Sequence, residues 1–209
     1  MVIQPMIAVQ PLRTDTFSCK QELAFNIVDS HCFGSSQQKQ LLMVVISMAG
    51  TGKSFLISSI HSLFAEWGCS GEIKITTPTG IAAANILGST LFSLLSLHHT
   101  ILTGQCLVVL QSLMRAVHLL IIDEYSFMSA SVFDSLDRHL RLIFPLSDRP
   151  FGRLNIVLCG DPAQLPCTCI EGTLHISQLS SIYSRQWSNS TKLSNRSVTM
   201  QPKPTSVPS

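Results

Sequence analysis

Three short polar clusters, each placed directly after an apolar run, carry residue types suited to handling a phosphate chain and its metal. The first, Ser47 to Ser54, reads SMAGTGKS and follows Leu41-Leu42-Met43-Val44-Val45-Ile46. Gly50 and Gly52 lack a Cβ, so the backbone there can curl and turn successive N–H groups toward one point. The apolar stretch Phe55 to Ile60 follows and reads as a helix, whose first turn has unpaired donors and a dipole that favours an anion. With Ala49, Gly50, Thr51 and Gly52 wrapped around phosphates, Lys53 reaches the β- and γ-phosphates and the Ser54 hydroxyl ligates Mg²⁺. Ser47 stands where the GxxxxGK[ST] pattern has its first glycine, and a positive φ at that position would strain a serine.

The second cluster is Asp123-Glu124, which ends the run Val117 to Ile122. Two carboxylates after a doubly buried strand are costly to desolvate unless a cation or a proton meets them. Beside a phosphate loop, Mg²⁺ on Asp123 answers that cost, and Glu124 is then placed to accept a proton from the attacking water. The third cluster, Gly160-Asp161-Pro162-Ala163-Gln164-Leu165-Pro166, follows Leu154 to Cys159. Gln164 is suited to sense the γ-phosphate or orient the water, and Asp161 to help hold the loop. Taken alone, each motif has a plain alternative: a chance glycine turn, or polar residues at an exposed strand end.

The elements that must position these clusters are legible as alternating strands and helices. A helix from Gln21 puts Leu23, Ile27 and Phe25, Val28 at helical spacings, and its lone glutamine reads as a solvated surface amide. Leu42 to Ile46 is a buried strand. The helix from Lys53 carries Leu56, Ile60, Leu63 and Trp67 on one face and stops at Gly68. Ile73 to Thr77 is a strand running through Pro78-Thr79-Gly80 into the helix-like IAAANI. The recurrence of strand, turn and helix favours parallel crossover units. The hydroxyls of Ser89 to Leu95, Thr90 and Ser93 among them, could hold phosphates, but at an element boundary such residues are more often caps. A helix over Gln105 to Met114 aligns Leu107, Leu110 and Leu113. One from Ser129 turns Val132, Phe133, Leu136, Leu140 and Ile143 inward and Asp134, Asp137, Arg138 and Arg141 outward. The adjacent His98-His99 point opposite ways on an extended segment and read as surface residues, not metal ligands.

The expected fold class is α/β: a mostly parallel sheet with helices on both faces. Residues 1–18 read as an N-terminal tail, 19–177 as one domain and 178–209, rich in Ser, Thr, Asn and Pro, as a disordered tail. Only 12% of the 209 residues are charged, about half the usual share. No apolar run reaches the roughly 18 to 20 residues a spanning helix needs, so a doubly buried sheet is the better account and no membrane is expected. The seven cysteines are odd in number and irregularly spaced, which suits reduced thiols. Net charge of +2 gives no nucleic-acid footprint of its own.

The blocks KQELAFNIV, SMAGTGKS, TPTGIAAANILGSTLFSLL, LLIIDEYSFMS and FGRLNIVLCGDPAQLP stand together in that order. In this they resemble the PIF (petite integration frequency) family of 5′-to-3′ DNA helicases, most of all the versions related to helitron transposons. The resemblance runs from about Lys20 to about Ile176. TGIAA with its downstream FSLL, and GDPAQLP, are its specific parts. It implies a RecA-like P-loop NTPase domain, the first of two in such helicases, using ATP and Mg²⁺ to move on single-stranded DNA. By motif position Gln21 matches the adenine-recognising glutamine, Lys53 and Ser54 the phosphate and Mg²⁺ residues, and Asp123 the Mg²⁺ acid. Glu124 matches the catalytic base and Gln164 the glutamine that couples γ-phosphate to DNA. Thr79, Gly80, Thr90, Phe92 and Ser93 match the block on the single strand's backbone.

The same resemblance implies roles in DNA repair, recombination and telomere maintenance, and a nuclear setting, with mitochondrion or cytoplasm as alternatives. Three residues depart from the pattern: Ser47 for the first glycine, Phe92 for a DNA-contacting histidine, and Cys167 for the second proline of QLPP. No block supplies a second RecA-like domain or its arginine fingers. The expectation is therefore a chain that carries the first motor domain only, binds ATP-Mg²⁺, hydrolyses it slowly and does not unwind DNA unaided. The alternative is a nucleotide-binding module whose partner supplies the second domain in trans.

Overall fold

A computed structural model describes residues 16–34, 40–85, 88–97, 102, 104–161 and 195–200. The elements in chain order are α1 (Cys19–Phe33), β1 (Leu42–Ser47), α2 (Lys53–Glu66), β2 (Ile73–Thr77), α3 (Gly80–Asn85), β3 (Ser89–Thr90), α4 (Leu91–Leu95), α5 (Gly104–Met114), β4 (Leu119–Ile122), α6 (Ala130–Ile143), β5 (Asn155–Gly160) and β6 (Asn195–Met200). The strands form one sheet in the order β3-β2-β4-β5-β1-β6, and every pairing is parallel. Parallel pairing requires crossovers, and the helices supply them on both faces, as the alternation of sequence signals implies.

Strand periodicity divides the core into two halves. In β4, Leu119 and Ile121 face α1 and α2 with Met43, Val45, Leu56, Ile60 and Phe64. Leu120 and Ile122 face the other way, toward Leu91, Leu110, Met114, Phe133, Leu136 and Leu140 of α4, α5 and α6. All four β4 side chains are fully buried, and each such burial is worth about 1.5–3 kcal/mol. This explains the apolar composition: the sheet is buried on both faces. Among the described residues no helix is long and apolar enough to cross a membrane. Cys19, Cys32, Cys69, Cys106 and Cys159 are free thiols.

Several sequence expectations are corrected. Trp67 and Leu113 are each 62% exposed. Trp67 lies past the last turn of α2 as its cap and stacks on Phe33 at 5.0 Å, and the inward pair of α5 is Leu110 and Met114, one turn apart. Leu23 is exposed too, because α1 buries Ala24, Phe25, Ile27 and Val28 instead. Asp137 does not face solvent. Its carboxylate accepts from Phe151 N and from Arg141 Nε, tying α6 to the turn before β5.

The largest correction concerns the C-terminal residues. Asn195–Met200 form β6, in register with β1 from Leu42↔Asn195 to Ser47↔Met200, so disorder does not extend over this part of 178–209. Main-chain pairing needs no apolar side-chain pattern, and composition is blind to it. His98, His99 and Gln164 lie outside the described residues.

Candidate active site

The C-terminal ends of β1, β4 and β5 meet where the three polar clusters were expected. β5 lies between β1 and β4, so the phosphate-loop strand and the acidic strand are about 10 Å apart at two strand spacings. Lys53 and Glu124 span that gap: Lys53 Nζ is 3.4 Å from Glu124 Oε1, with side chains only 11% and 20% exposed.

The loop has the backbone its glycines allow. Gly50 has φ +74° and Gly52 φ +83°, and Gly52 caps α2 in the left-handed conformation. Thr51 closes the turn with its N–H and its hydroxyl on Met48 O, at 3.4 and 2.8 Å. Ser47 is the last residue of β1, fully buried, and is not among the residues with positive φ. The strain anticipated from its replacement of glycine is therefore absent, because the turn begins one residue later. Ser54, the second residue of α2, is exposed.

Two residues hold the loop from outside. Asp161, buried just after β5, accepts from Ala49 N at 3.2 Å, in line with the holding role read for it. Gln21 divides its amide: Oε1 accepts from Ser18 N at 2.8 Å in a capping box at the head of α1, while Nε2 donates to Thr51 O and Gly52 O, both at 3.2 Å. The surface-amide reading of Gln21 is wrong; the side chain is 6% exposed. The capping-box spacing Ser18-x-x-Gln21 was the available signal that this glutamine is fixed.

The two acids are crowded together beside Lys53, and Glu124 carries the backbone strain. Asp123 is kept at its strand end by Asp123 N donating to Thr76 O at 2.8 Å, which extends the β2–β4 ladder. Burial, and then the charge of Glu124, push its carboxyl up to about 6, against the opposing pull of Lys53 and of Glu124 N–H. Glu124 has φ +56°, an uncommon backbone for a non-glycine residue, steadied by its N–H on Asp123 Oδ1 at 2.9 Å. Its second oxygen, Oε2, is buried with no partner. The paired carboxylates of Asp123 and Glu124, with Glu124 Oε2 buried and unpartnered, supply oxygens that a divalent cation fits.

Of the residues read as DNA-facing, Thr79 and Thr90 are caps: their hydroxyls accept from Ala82 N (3.4 Å) and Ser93 N (3.1 Å) at the starts of α3 and α4. Phe92, in the first turn of α4, is 36% exposed. Sequence reasoning missed Tyr125 and Gly160. A Cβ on Gly160 would stand 2.8 Å from Tyr125 Cδ1, so only glycine admits that ring. An aromatic residue directly after Asp-Glu and a glycine opening the third cluster were the signal.

A parallel sheet whose strand ends gather a glycine loop at a helix N-terminus, its lysine and a pair of acids defines a RecA-like P-loop NTPase domain. A family profile described as PIF1-like helicase matches residues 16–206, and the chain belongs to that family. The ATP-dependent DNA helicase PIF1 of Danio rerio is 35% identical over 147 residues, which cover 63% of this chain and 22% of that protein. The Pif1 helicase of Candida albicans superimposes with a TM-score of 0.61 at 27% identity, covering 88% of this chain and 39% of that one. Bacteroides Pif1 in complex with ADP-AlF4 gives 0.60 at 25% identity over 87% of this chain and 41% of that one. The same helicase bound to ssDNA gives 0.57 at 25% over 91% and 42%. The chain thus spans less than half the length of each of these proteins.

Proposed function

We propose that this chain is the ATP-binding and ATP-hydrolysing first motor domain of a DNA helicase. The observation that carries the reading is the meeting of Lys53 and Glu124 over the gap between β1 and β4, beside a loop whose backbone amides lie at the head of α2. The triphosphate lies along Ala49 to Gly52, with Lys53 leaving Glu124 to pair with the β- and γ-oxygens. Ser54 and Asp123 hold Mg²⁺, which when bound neutralises charge developing on the phosphates. Glu124, released from Lys53, turns its carboxylate to the attacking water and takes its proton. By motif position Gln21 would meet the adenine, its Nε2 then leaving the Thr51 and Gly52 carbonyls, and Gln164 would meet the γ-phosphate.

The single strand runs over the starts of α3 and α4, at Thr79, Gly80, Thr90, Phe92 and Ser93. With both threonine hydroxyls serving as caps, backbone amides meet the phosphates there and the Phe92 ring meets a base. The relative solved with ssDNA supports this substrate class. Translocation requires a second motor domain, continuous with this one or supplied in trans, that closes on ATP and opens after hydrolysis, and whose arginine finger would be worth about 10³ to 10⁵ in hydrolysis rate. A nuclear location, with the mitochondrion as alternative, and roles in repair, recombination and telomere maintenance complete the proposal.

The test is phosphate release by the purified chain with and without single-stranded DNA, with Glu124→Gln as control. Slow, Glu124-dependent turnover supports the reading. Absence of nucleotide binding by the wild type, or robust strand separation by the purified chain that Lys53→Ala abolishes, overturns it.

A further inference from the structure

Among the described residues, the buried side-chain oxygens that meet no protein partner are Ser47 Oγ, Thr77 Oγ1, Glu124 Oε2, Tyr125 Oη and Ser126 Oγ. Ser47 ends β1, Thr77 ends β2, and the other three follow β4 directly. They are thus confined to the rim of the sheet where the phosphate loop and the acids gather. Buried polar atoms ordinarily find partners, and where the protein offers none, water or an ion does. Thr77 is the one that lies on the strand beside Asp123.

The register fixes that placement. β2 and β4 pair from Ile73↔Leu119 to Thr76↔Ile122, and Asp123 N donating to Thr76 O at 2.8 Å carries the ladder one residue further. Thr77 therefore lies one strand spacing, about 5 Å, from Asp123. Alternation sets the face. Ile73, Leu119 and Ile121 belong to the core against α1 and α2, with Ile75 packed on it. Thr77 and Asp123, two residues further along, turn to that side. Lys53, at the head of α2, reaches Glu124 from there. Thr76 turns the other way, and its hydroxyl is occupied, donating to Ile121 O at 3.3 Å. Thr77 is fully buried, yet no backbone carbonyl and no carboxylate comes within bonding distance of its hydroxyl. Valine would fill the same space with no polar atom to satisfy.

We propose that Thr77 is a positioning residue for the divalent cation of Asp123, its hydroxyl accepting a hydrogen bond from a water that the ion carries. This rests on the reading of Asp123 as a Mg²⁺ ligand. Asp123 Oδ1 already accepts from Glu124 N, so the protein offers the ion few oxygens here. Mg²⁺ gives up water reluctantly and keeps several molecules when only one or two carboxylates bind it. A water on the ion is a strong donor, and in a buried rim each of its protons needs an acceptor. The Thr77 hydroxyl supplies one on the neighbouring strand, where valine would present carbon. Groups that orient a metal's ligands in this way govern its affinity about 10–100-fold.

The experiment takes the full chain in excess over a non-hydrolysable ATP analogue and titrates Mn²⁺ as the probe ion, following free Mn²⁺ by electron paramagnetic resonance. Thr77→Val is expected to weaken Mn²⁺ binding about tenfold or more. Thr77→Ser, which keeps the hydroxyl, restores most of that loss. Two readouts separate this role from a merely structural one. Affinity for the analogue in chelator is the same in Thr77→Val and the wild type. Metal-free Thr77→Val melts at or above the wild type, because it has lost only a hydroxyl that no protein group partners.

Mn²⁺ binding that is unchanged in Thr77→Val overturns the assignment, as does a Thr77→Ser protein that binds the ion as weakly as Thr77→Val. A metal-free Thr77→Val protein that melts below the wild type, or one that loses analogue affinity in chelator, also overturns it, since the hydroxyl then serves the fold or the nucleotide. If the wild type binds no Mn²⁺ beside the analogue, the metal reading of Asp123 falls and takes the role of Thr77 with it. If the wild type binds the ion and Thr77→Val binds it equally, the role of Thr77 alone falls.

Discussion

Gln21 Nε2 lies so close over Gly52 that a Cβ on that glycine would stand 2.3 Å from it. The left-handed backbone of Gly52 and the donation of Gln21 to the Gly52 carbonyl are two halves of one arrangement. The glycine is needed both for its φ and for the side chain resting on it. Since Gln21 also caps α1, the first helix of the domain is clamped to the phosphate loop through a single amide.

Gln21→Ala therefore removes two hydrogen bonds to the loop and one at the helix cap. Each is worth about 0.5–1.5 kcal/mol, so a loss near 2 kcal/mol in stability is expected. Gln21→Glu is the more harmful change, because a carboxylate would face two carbonyl oxygens with no proton to offer. Thermal unfolding with and without an ATP analogue ranks the two. Equal melting of Gln21→Glu and wild type would remove the clamp from the account.

On the proposed reading, substitutions in the Lys53–Glu124 pair should separate binding from turnover. Lys53→Ala deletes the cation and leaves Glu124 Oε1 unmatched beside the already unpaired Oε2, so nucleotide affinity is expected to collapse and stability to fall. Glu124→Gln keeps a hydrogen-bond acceptor for Lys53 and removes the base. It is expected to bind the analogue at least as tightly as wild type and to lower phosphate release about 100-fold or more. Filter binding beside single-turnover hydrolysis distinguishes the two, and similar losses of affinity in both variants would contradict the assignment.

Asp123 gives the metal-free protein a defined pH dependence. Its folded carboxyl, pushed up to about 6 by burial and by Glu124, titrates above its ordinary 3.8. Between those values the folded state holds the proton more tightly than the unfolded chain, so stability falls as pH rises through the window and stays low above it. The full effect is at most about 3 kcal/mol. Denaturant titrations from pH 4 to about 7 with chelator present should show this decline, and Asp123→Asn should flatten it while abolishing hydrolysis. A stability that rises over that range in the wild type and not in Asp123→Asn would reverse the sign and refute the cause.

Most of the sheet and the loop were legible because their signals are local. Runs such as Leu119 to Ile122 are apolar on both faces, and glycines at 50 and 52 announce left-handed backbone. What sequence obscured depended on long-range placement. Gln21 looks like any surface amide until α1 packs beside the loop 31 residues away. Ser47 looks strained until the strand proves to run through it. Tyr125 looks like part of a turn until Gly160 opens a space for its ring.

The pairing of β6 with β1 was the least legible relationship, and it yields the sharpest stability prediction. β1 carries the phosphate loop, and its two neighbours are β5 and β6. Without β6 it would be an edge strand, with a row of main-chain donors and acceptors open to solvent or to another chain. Met200 closes the pairing opposite Ser47 and is 1% exposed in the core shared with α1 and α2. Met200→Ala should cost about 2 kcal/mol or more through the cavity it leaves. Ending the chain at residue 194 should cost more, and should expose β1 to association that light scattering detects at micromolar protein. A shortened chain that stays monomeric and melts with the wild type would show that β6 contributes nothing to the strand behind Lys53.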